Sequence, residues 1–266
     1  MCTHVTSRNF VSLLGAFVCL GFALGVCGCG RRLDIGSNVI WTANHESGTF
    51  DEWLSDDAGA GYAMGDGATS TIVTEQARTG THSVKVTSSA TGADTVAGVY
   101  RHWTGLQEAY FSVWYFVPRA YETTSYWTIM QFSPSLPSAP PAGTSMNLNL
   151  RSLPNGQLVL EVVQQRQSYL RFPLAIPTPV VPIAQWFQIE AKFRSATDET
   201  GGLKVWLDGN LVYDIEGRVT ALGDDVYFTP CSATSSASPT PIEVYFDDVI
   251  VSRSRITPDG ASALSD

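Results

Sequence analysis

The sequence predicts an antiparallel β-sandwich, and two stretches together with the composition carry that expectation. Phe187, Ile189, Ala191 and Phe193 alternate with Gln188, Glu190, Lys192 and Arg194, the period of a strand with one apolar face. Downstream, LKVWLD runs into Asp208-Gly209-Asn210, residue types that accept the positive φ of a tight hairpin turn, and LVYDI returns antiparallel. Over 266 residues, 23 Gly and 14 Pro supply many turns, while charged residues make up only 15%. That length suits one all-β domain. The net charge of −9 argues against nucleic acid or an anionic membrane surface as a partner.

Residues 1–29 contain one basic side chain, Arg8, then the apolar run FVSLLGAFVCLGFALGV and Cys27-Gly28-Cys29. The run reads as an export signal. Its end resembles a bacterial lipobox, which implies cleavage before and lipidation of Cys29, with Cys27 as the other choice. The resemblance further implies anchoring to the outer membrane or cell surface, because Gly30 is not the Asp that often retains lipoproteins at the inner membrane. A plain secretory signal or an uncleaved anchor stays open, since the run is marginal for a spanning helix. Residues 30–39 read as a tether, 40–255 as the sandwich and 256–266 as a flexible tail. With Cys29 acylated, only Cys231 remains in the mature chain, so no intrachain disulfide forms and the core must hold the fold. Cys231 falls in PCSATSSASPTP, whose Ser, Thr and Pro content reads as a loop.

The segments WFQIEAKF, VWLDGN and the closing strand IEVYFDDVIVS (residues 242–252), with the early NHESGTFDEW, resemble the concanavalin A-like (laminin-G-like) jelly rolls. That superfamily includes lectins, carbohydrate-binding domains, glycoside hydrolases and heparin-lyase-like and alginate-lyase-like polysaccharide lyases. The resemblance implies a jelly roll acting on or binding a glycan as a monomer. It also implies a structural calcium ion shared by the early Glu46 and Asp247 or Asp248. Alternation in the closing strand places Ile242, Val244, Phe246, Asp248 and Ile250 on one face, so a carboxylate interrupts an apolar row and needs a cation or several donors. The alternative is that Asp247 and Asp248 cap loop amides or sit at the rim.

Elsewhere, TGTHSVKV reads as a strand after Arg78-Thr79-Gly80, with a packing role. In YFSVWYFV both faces are apolar or aromatic, so Trp114 or Tyr115 could stack on a sugar or simply be covered by the loops at 133–144 and 172–184. The stretch SMNLNLRSLPNGQLVLEVV reads as a hairpin turning at Pro154-Asn155-Gly156, with Met146, Leu148 and Leu150 inward and Asn147, Asn149 and Arg151 outward. Gln131, Asn147, Asn149, Arg151, Gln188, Glu190, Lys192 and Arg194 are then candidates for one shared polar surface.

Two carboxylates set across a glycosidic bond are the requirement for glycoside hydrolysis, and the strand carboxylates Glu161 and Glu190 lie on separate strands. The Glu-x-Asp-x-x-Glu pattern of hydrolases on this fold is absent. A lyase needs a group that neutralises a uronate carboxylate, for which Gln131, Asn149 and Arg151 are candidates, and a base for the C5 proton, for which Tyr100, His102, Tyr115 and Lys192 are candidates. The strand signatures of the lyase groups are missing. The sequence therefore favours a carbohydrate-binding lipoprotein using Trp114, Tyr115, Gln131, Asn147, Asn149, Arg151, Gln188, Glu190 and Lys192. A polysaccharide lyase acting by β-elimination is the alternative. No phosphate loop, nucleophile elbow or Cys/His metal cluster is present in the sequence.

Overall fold

The computed structural model describes residues 38–53, 61–64, 67–89, 91–123, 125–135, 144–166 and 169–259. The lipobox-like segment with Cys29 and residues 260–266 lie outside the described residues. Among the described residues, seventeen strands form two antiparallel sheets. The first sheet runs β15 (Asn210–Arg218), β14 (Gly201–Leu207), β13 (Trp186–Arg194), β7 (Glu108–Phe116), β17 (Ile242–Ser252), β4 (Ser83–Ser88) and β3 (Thr69–Val73), with β1 (Val39–Ala43) also on β17. The second runs β12 (Tyr169–Arg171), β11 (Leu158–Gln165), β10 (Ser145–Ser152), β9 (Trp127–Ser133), β16 (Asp225–Ser238), β5 (Thr91–Val99) and β2 (Gly61–Met64). Two short strands, β6 (Arg101–Thr104) and β8 (Glu122–Thr123), add to β16. The predicted sandwich is what forms.

Each sheet turns its apolar rows inward. Phe187, Ile189, Ala191 and Phe193 of β13 are buried against Met146, Leu148 and Leu150 of β10 and Phe132 of β9 in one core. Phe132 stacks on Phe193 across the layers with centroids 4.5 Å apart. Each large side chain removed from water in this way stabilises the sandwich by roughly 1.5–3 kcal/mol. The hairpin between β14 and β15 turns at Asp208 (φ 47°) and Gly209 (φ 78°), the left-handed pair that the Asp-Gly-Asn sequence predicts. The β10–β11 hairpin pairs Ser152 with Leu158, as predicted around Pro154-Asn155-Gly156.

Three expectations are corrected. The segment around Cys231 is not a loop but part of β16, where its thiol is buried and donates to Thr128 O. Pro230, which lacks an N–H, sits where the β16–β9 register shifts. In β17 a bulge between Asp247 and Ile250 changes the parity of the strand: Val249 and Val251 join Phe246 in the core, Asp247 is the fully buried carboxylate, and Asp248 adopts φ 47°. Ile256, placed in the flexible tail, is buried, and its N–H donates to Glu190 Oε1 over 2.6 Å.

Candidate functional site

The eight candidates for one polar surface divide between the sheets. Gln188, Glu190, Lys192 and Arg194 belong to β13 of the first sheet, whereas Gln131, Asn147, Asn149 and Arg151 belong to β9 and β10 of the second. With the core between the layers, their outward faces lie on opposite sides of the sandwich. The shared surface does not exist, because strand periodicity sets which face a side chain takes but not which sheet the strand joins.

On the outer face of the first sheet, the polar side chains are bound to one another. Glu190 is 1% exposed and accepts hydrogen bonds from Arg255 Nε (3.1 Å) and Ile256 N (2.6 Å), while burial raises its pKa. Gln188 donates to Ser112 Oγ and Ile256 O, and Lys192 pairs with Glu108 Oε1 at 2.9 Å. Trp114 lies under the Arg78 guanidinium, 3.6 Å from its ring centroid. The Arg255–Ile256 segment covers Gln188 and Glu190, so neither meets a glycan. Tyr115 is 0% exposed and donates to Ile129 O over 2.9 Å; burial pushes its phenol well above the usual range. It is a core side chain, neither a sugar platform nor a base.

The carboxylates proposed for calcium face N–H donors. Glu46 accepts from the amides of Thr81 and His82, and these bonds outweigh partial burial to lower its pKa. Gly80, at φ 61°, makes room for it, since a Cβ there would stand 2.3 Å from Glu46 Cδ. Asp247 accepts from the amides of Arg78 and Asp248, and Asp248 from Arg78 Nη1 at 2.6 Å. His45, buried and at φ 63°, accepts the Trp53 indole N–H at Nε2, which leaves Nδ1 to donate toward Asp247 Oδ1 at 3.4 Å. These bonds take up much of the accepting capacity of the three carboxylates. Among the described residues no group of three or more His, Cys, Asp or Glu is arranged to hold a metal. Glu46 and Asp247 cap loop amides, whereas Asp248 holds the Arg78 guanidinium and the Thr79 hydroxyl.

The outer face of the second sheet is of different character. Register alignment places His102 of β6 beside Tyr227 of β16, Tyr227 beside Ser133 of β9, and Thr229 beside Gln131, which in turn pairs with Asn147 of β10. The His102 ring stacks on Tyr227 with centroids 4.3 Å apart, and its Nε2 lies 2.9 Å from Asp225 Oδ1. That bond is the first cause of the lowered Asp225 pKa. An imidazole that gives Nε2–H to a carboxylate carries its lone pair on Nδ1. Gln131 Nε2 donates to Asn147 Oδ1 over 3.0 Å, and Thr128 Oγ1 donates to Asn149 Oδ1 over 2.8 Å. Asn147 and Asn149 are buried while Gln131 is half-buried, so the glutamine is the amide that a ligand reaches and the asparagines hold its surroundings.

Farther along the same face, Arg151 Nε stands 2.9 Å from Glu161 Oε2 and Arg171 Nη1 stands 4.0 Å from Glu161 Oε1. Thr229 Oγ1 and Glu161 Oε1 are buried without a hydrogen-bond partner among the described residues. Orphaned polar atoms of this kind are uncommon, and the first sheet has a comparable pair on β13, Trp186 Nε1 and Gln188 Oε1, so they do not by themselves distinguish the two faces. Tyr227, Thr229 and Asp225 were not among the sequence candidates. Their alternation in DVYFT is a strand signal, masked by the Pro, Ser and Thr that follow.

A family model described as polysaccharide lyase matches residues 45–249. The fold is similar to that of an endo-β-1,4-glucuronan lyase from the fungus Trichoderma reesei, at 17% identity and TM-score 0.59, covering 85% of this chain and 100% of that one. It is also similar to alginate lyase Aly36B in complex with an alginate trisaccharide (12%, TM-score 0.54, 81% and 98% covered) and to alginate lyase vAL-1 from Chlorella virus (14%, TM-score 0.51, 81% and 100% covered). A search of curated proteins finds no match. The family match favours the lyase alternative over the carbohydrate-binding reading, while the solved structures support the fold.

Proposed function

Since the chain belongs to the polysaccharide lyase family, we propose that it cleaves a uronic-acid-containing glycan by β-elimination on the outer face of the second sheet. The observation that carries this reading is the convergence of Gln131, His102 and Tyr227 on one face by strand register. Elimination begins with removal of the C5 proton, which is acidic only if negative charge developing on the uronate carboxylate is offset. Gln131 supplies amide N–H to that carboxylate, in a setting held by Asn147. His102, oriented by Asp225, takes the C5 proton at Nδ1. The C5–H electron pair becomes the C4–C5 double bond, the C4–O4 bond breaks, and the Tyr227 hydroxyl gives its proton to the departing O4. His102 then returns its proton to Tyr227 directly or through water, closing the cycle.

The test is a panel of polyglucuronate, alginate and neutral polysaccharides, read by ultraviolet absorbance of the unsaturated product. New absorbance with a polyuronate alone is expected; binding without absorbance on any glycan would return the protein to the carbohydrate-binding class. Export and anchoring are a separate part of the proposal: Cys29→Ser is expected to move the protein from the membrane to the soluble fraction, and continued membrane association would contradict it.

A further inference from the structure

The second sheet ends in a short edge strand, β12, whose outward side chains alternate as strand geometry requires. Arg171 pairs with Val163 and Tyr169 with Gln165 of β11; Val163 in turn pairs with Asn147 of β10, and Asn147 with Gln131 of β9. Arg171 therefore lies on the same cross-strand row as Gln131 and Asn147, and Tyr169 on the neighbouring row, the one that carries Tyr227 and His102. From β16 to β12 there are four strand spacings, about 19 Å at roughly 4.8 Å each. A glycan chain lying across the strands covers several sugar residues over that span.

What stands at the far end is a cation and an aromatic ring, both open to solvent. Tyr169 is 59% exposed. The Arg171 side chain is 54% exposed, with Nη2 3.4 Å from Ser125 O and Nη1 4.0 Å from Glu161 Oε1. Arg151 adds a second guanidinium whose Nε, although 2.9 Å from Glu161 Oε2, has no hydrogen-bond acceptor among the described residues. Two arginines share one buried carboxylate, leaving a local excess of one positive charge in a protein of net charge −9. An exposed ring beside a planar cation is poorly explained by stability. Exposed ion pairs contribute little, and an exposed tyrosine on an edge strand leaves apolar surface in water.

We infer that Tyr169 and Arg171 of β12, backed by Arg151, form a distal subsite that holds an acidic sugar of the polyuronate several residues from the bond being cleaved. The inference rests on the lyase reading of the same face. Tyr169 supports the sugar ring and Arg171 forms the paired N–H contacts that a carboxylate accepts from a guanidinium. Such a contact is made equally in the ground state and the transition state, so it governs KM and leaves kcat unchanged. It also sets a minimum length: a polymer reaches β12 from the reacting centre, whereas a disaccharide or trisaccharide does not.

The experiment compares wild type, Arg171→Gln, Arg171→Lys and Tyr169→Ala of the full chain, on polyglucuronate and alginate and on uronate trisaccharides from whichever is cleaved. Both side chains are exposed on an edge, so melting temperatures should agree among the variants. For the polymer, KM is expected to rise roughly tenfold in Arg171→Gln with kcat held, and less in Tyr169→Ala. Arg171→Lys should restore part of the loss at low salt, because charge is kept while the paired geometry is lost. Trisaccharide kinetics should not change. Wild-type elimination with an unaltered polymer KM in Arg171→Gln, or an equal loss on trisaccharide, would overturn the subsite while leaving the lyase standing. A wild type inactive on every polyuronate would overturn both.

Discussion

The two outward faces of this sandwich come from the same sequence pattern, yet differ in what their polar residues do. On β13 the outward side chains are tied to neighbours: Glu190 by Arg255 and the Ile256 amide, Lys192 by Glu108, and Gln188 through its Nε2 by Ser112, with only Gln188 Oε1 among these left without a hydrogen-bond partner among the described residues. On the second sheet, the outward groups include a stacked His102–Tyr227 pair on β6 and β16, a half-buried Gln131 on β9, and the orphaned oxygens Thr229 Oγ1 on β16 and Glu161 Oε1 on β11. On the first sheet the candidate groups are covered or ion-paired; on the second, an imidazole, a phenol and an amide suited to proton transfer and charge neutralisation stand together on one face.

The largest effect that could break this comparison lies on the second sheet. His102→Ala is expected to reduce polyuronate elimination by about 10²–10⁴-fold with little change in melting temperature, as loss of a positioned proton carrier does. Circular dichroism melts and initial rates measured together decide it, and a variant that keeps its rate would remove His102 from the mechanism.

On the first sheet the expected cost falls on stability instead. Glu190→Ala leaves the Ile256 amide and Arg255 without their acceptor, and should destabilise the fold by about 2–3 kcal/mol, seen in chemical denaturation. The pH dependence has a definite sign. Burial raises the folded-state pKa of Glu190, so its protonated form favours the native state; that contribution is full below the unfolded glutamate pKa and is lost as pH rises through the folded one. The difference in stability between wild type and Glu190→Gln should therefore shift in favour of Gln as pH rises through this window, then become flat. A difference growing in the opposite direction would mean that Arg255 outweighs burial.

Smaller effects sharpen the account of the buried polar groups. Chelation with EDTA is expected to leave the melting temperature unchanged, because amides and Arg78 satisfy Glu46, Asp247 and Asp248. A drop on chelation, restored by calcium, would reinstate the metal. Burial pushes the Cys231 thiol up to about 12, so alkylation of its peptide at neutral pH should require unfolding. Mass-spectrometric detection of that peptide modified in the native protein would contradict its place in the core.

Periodicity made the sandwich legible. Phe187 to Phe193 alternates cleanly and Asp208-Gly209-Asn210 turns where it should, since both signals are local. What depended on long-range pairing was not legible. Nothing near Lys192 says that its strand joins β7 and β14, or near Asn149 that its strand joins β9 and β11. Asp248 was assigned to the apolar row because a bulge leaves no mark in an alternating pattern until its backbone angle is known. The glutamine of the site was legible by residue type, and His102 as one of several bases. Tyr227 was not, because Pro230 and the Ser/Thr run disguised β16.

The central claim, that chemistry belongs to the second sheet and not the first, is tested most directly by one paired measurement on a polyuronate that the wild type cleaves. Initial rates of unsaturated product formation are compared for Gln131→Ala and Lys192→Ala, two outward polar residues on opposite sheets. The account predicts a loss of about 10²-fold or more for Gln131→Ala and a rate near wild type for Lys192→Ala. A collapse in Lys192→Ala with Gln131→Ala still active would contradict it.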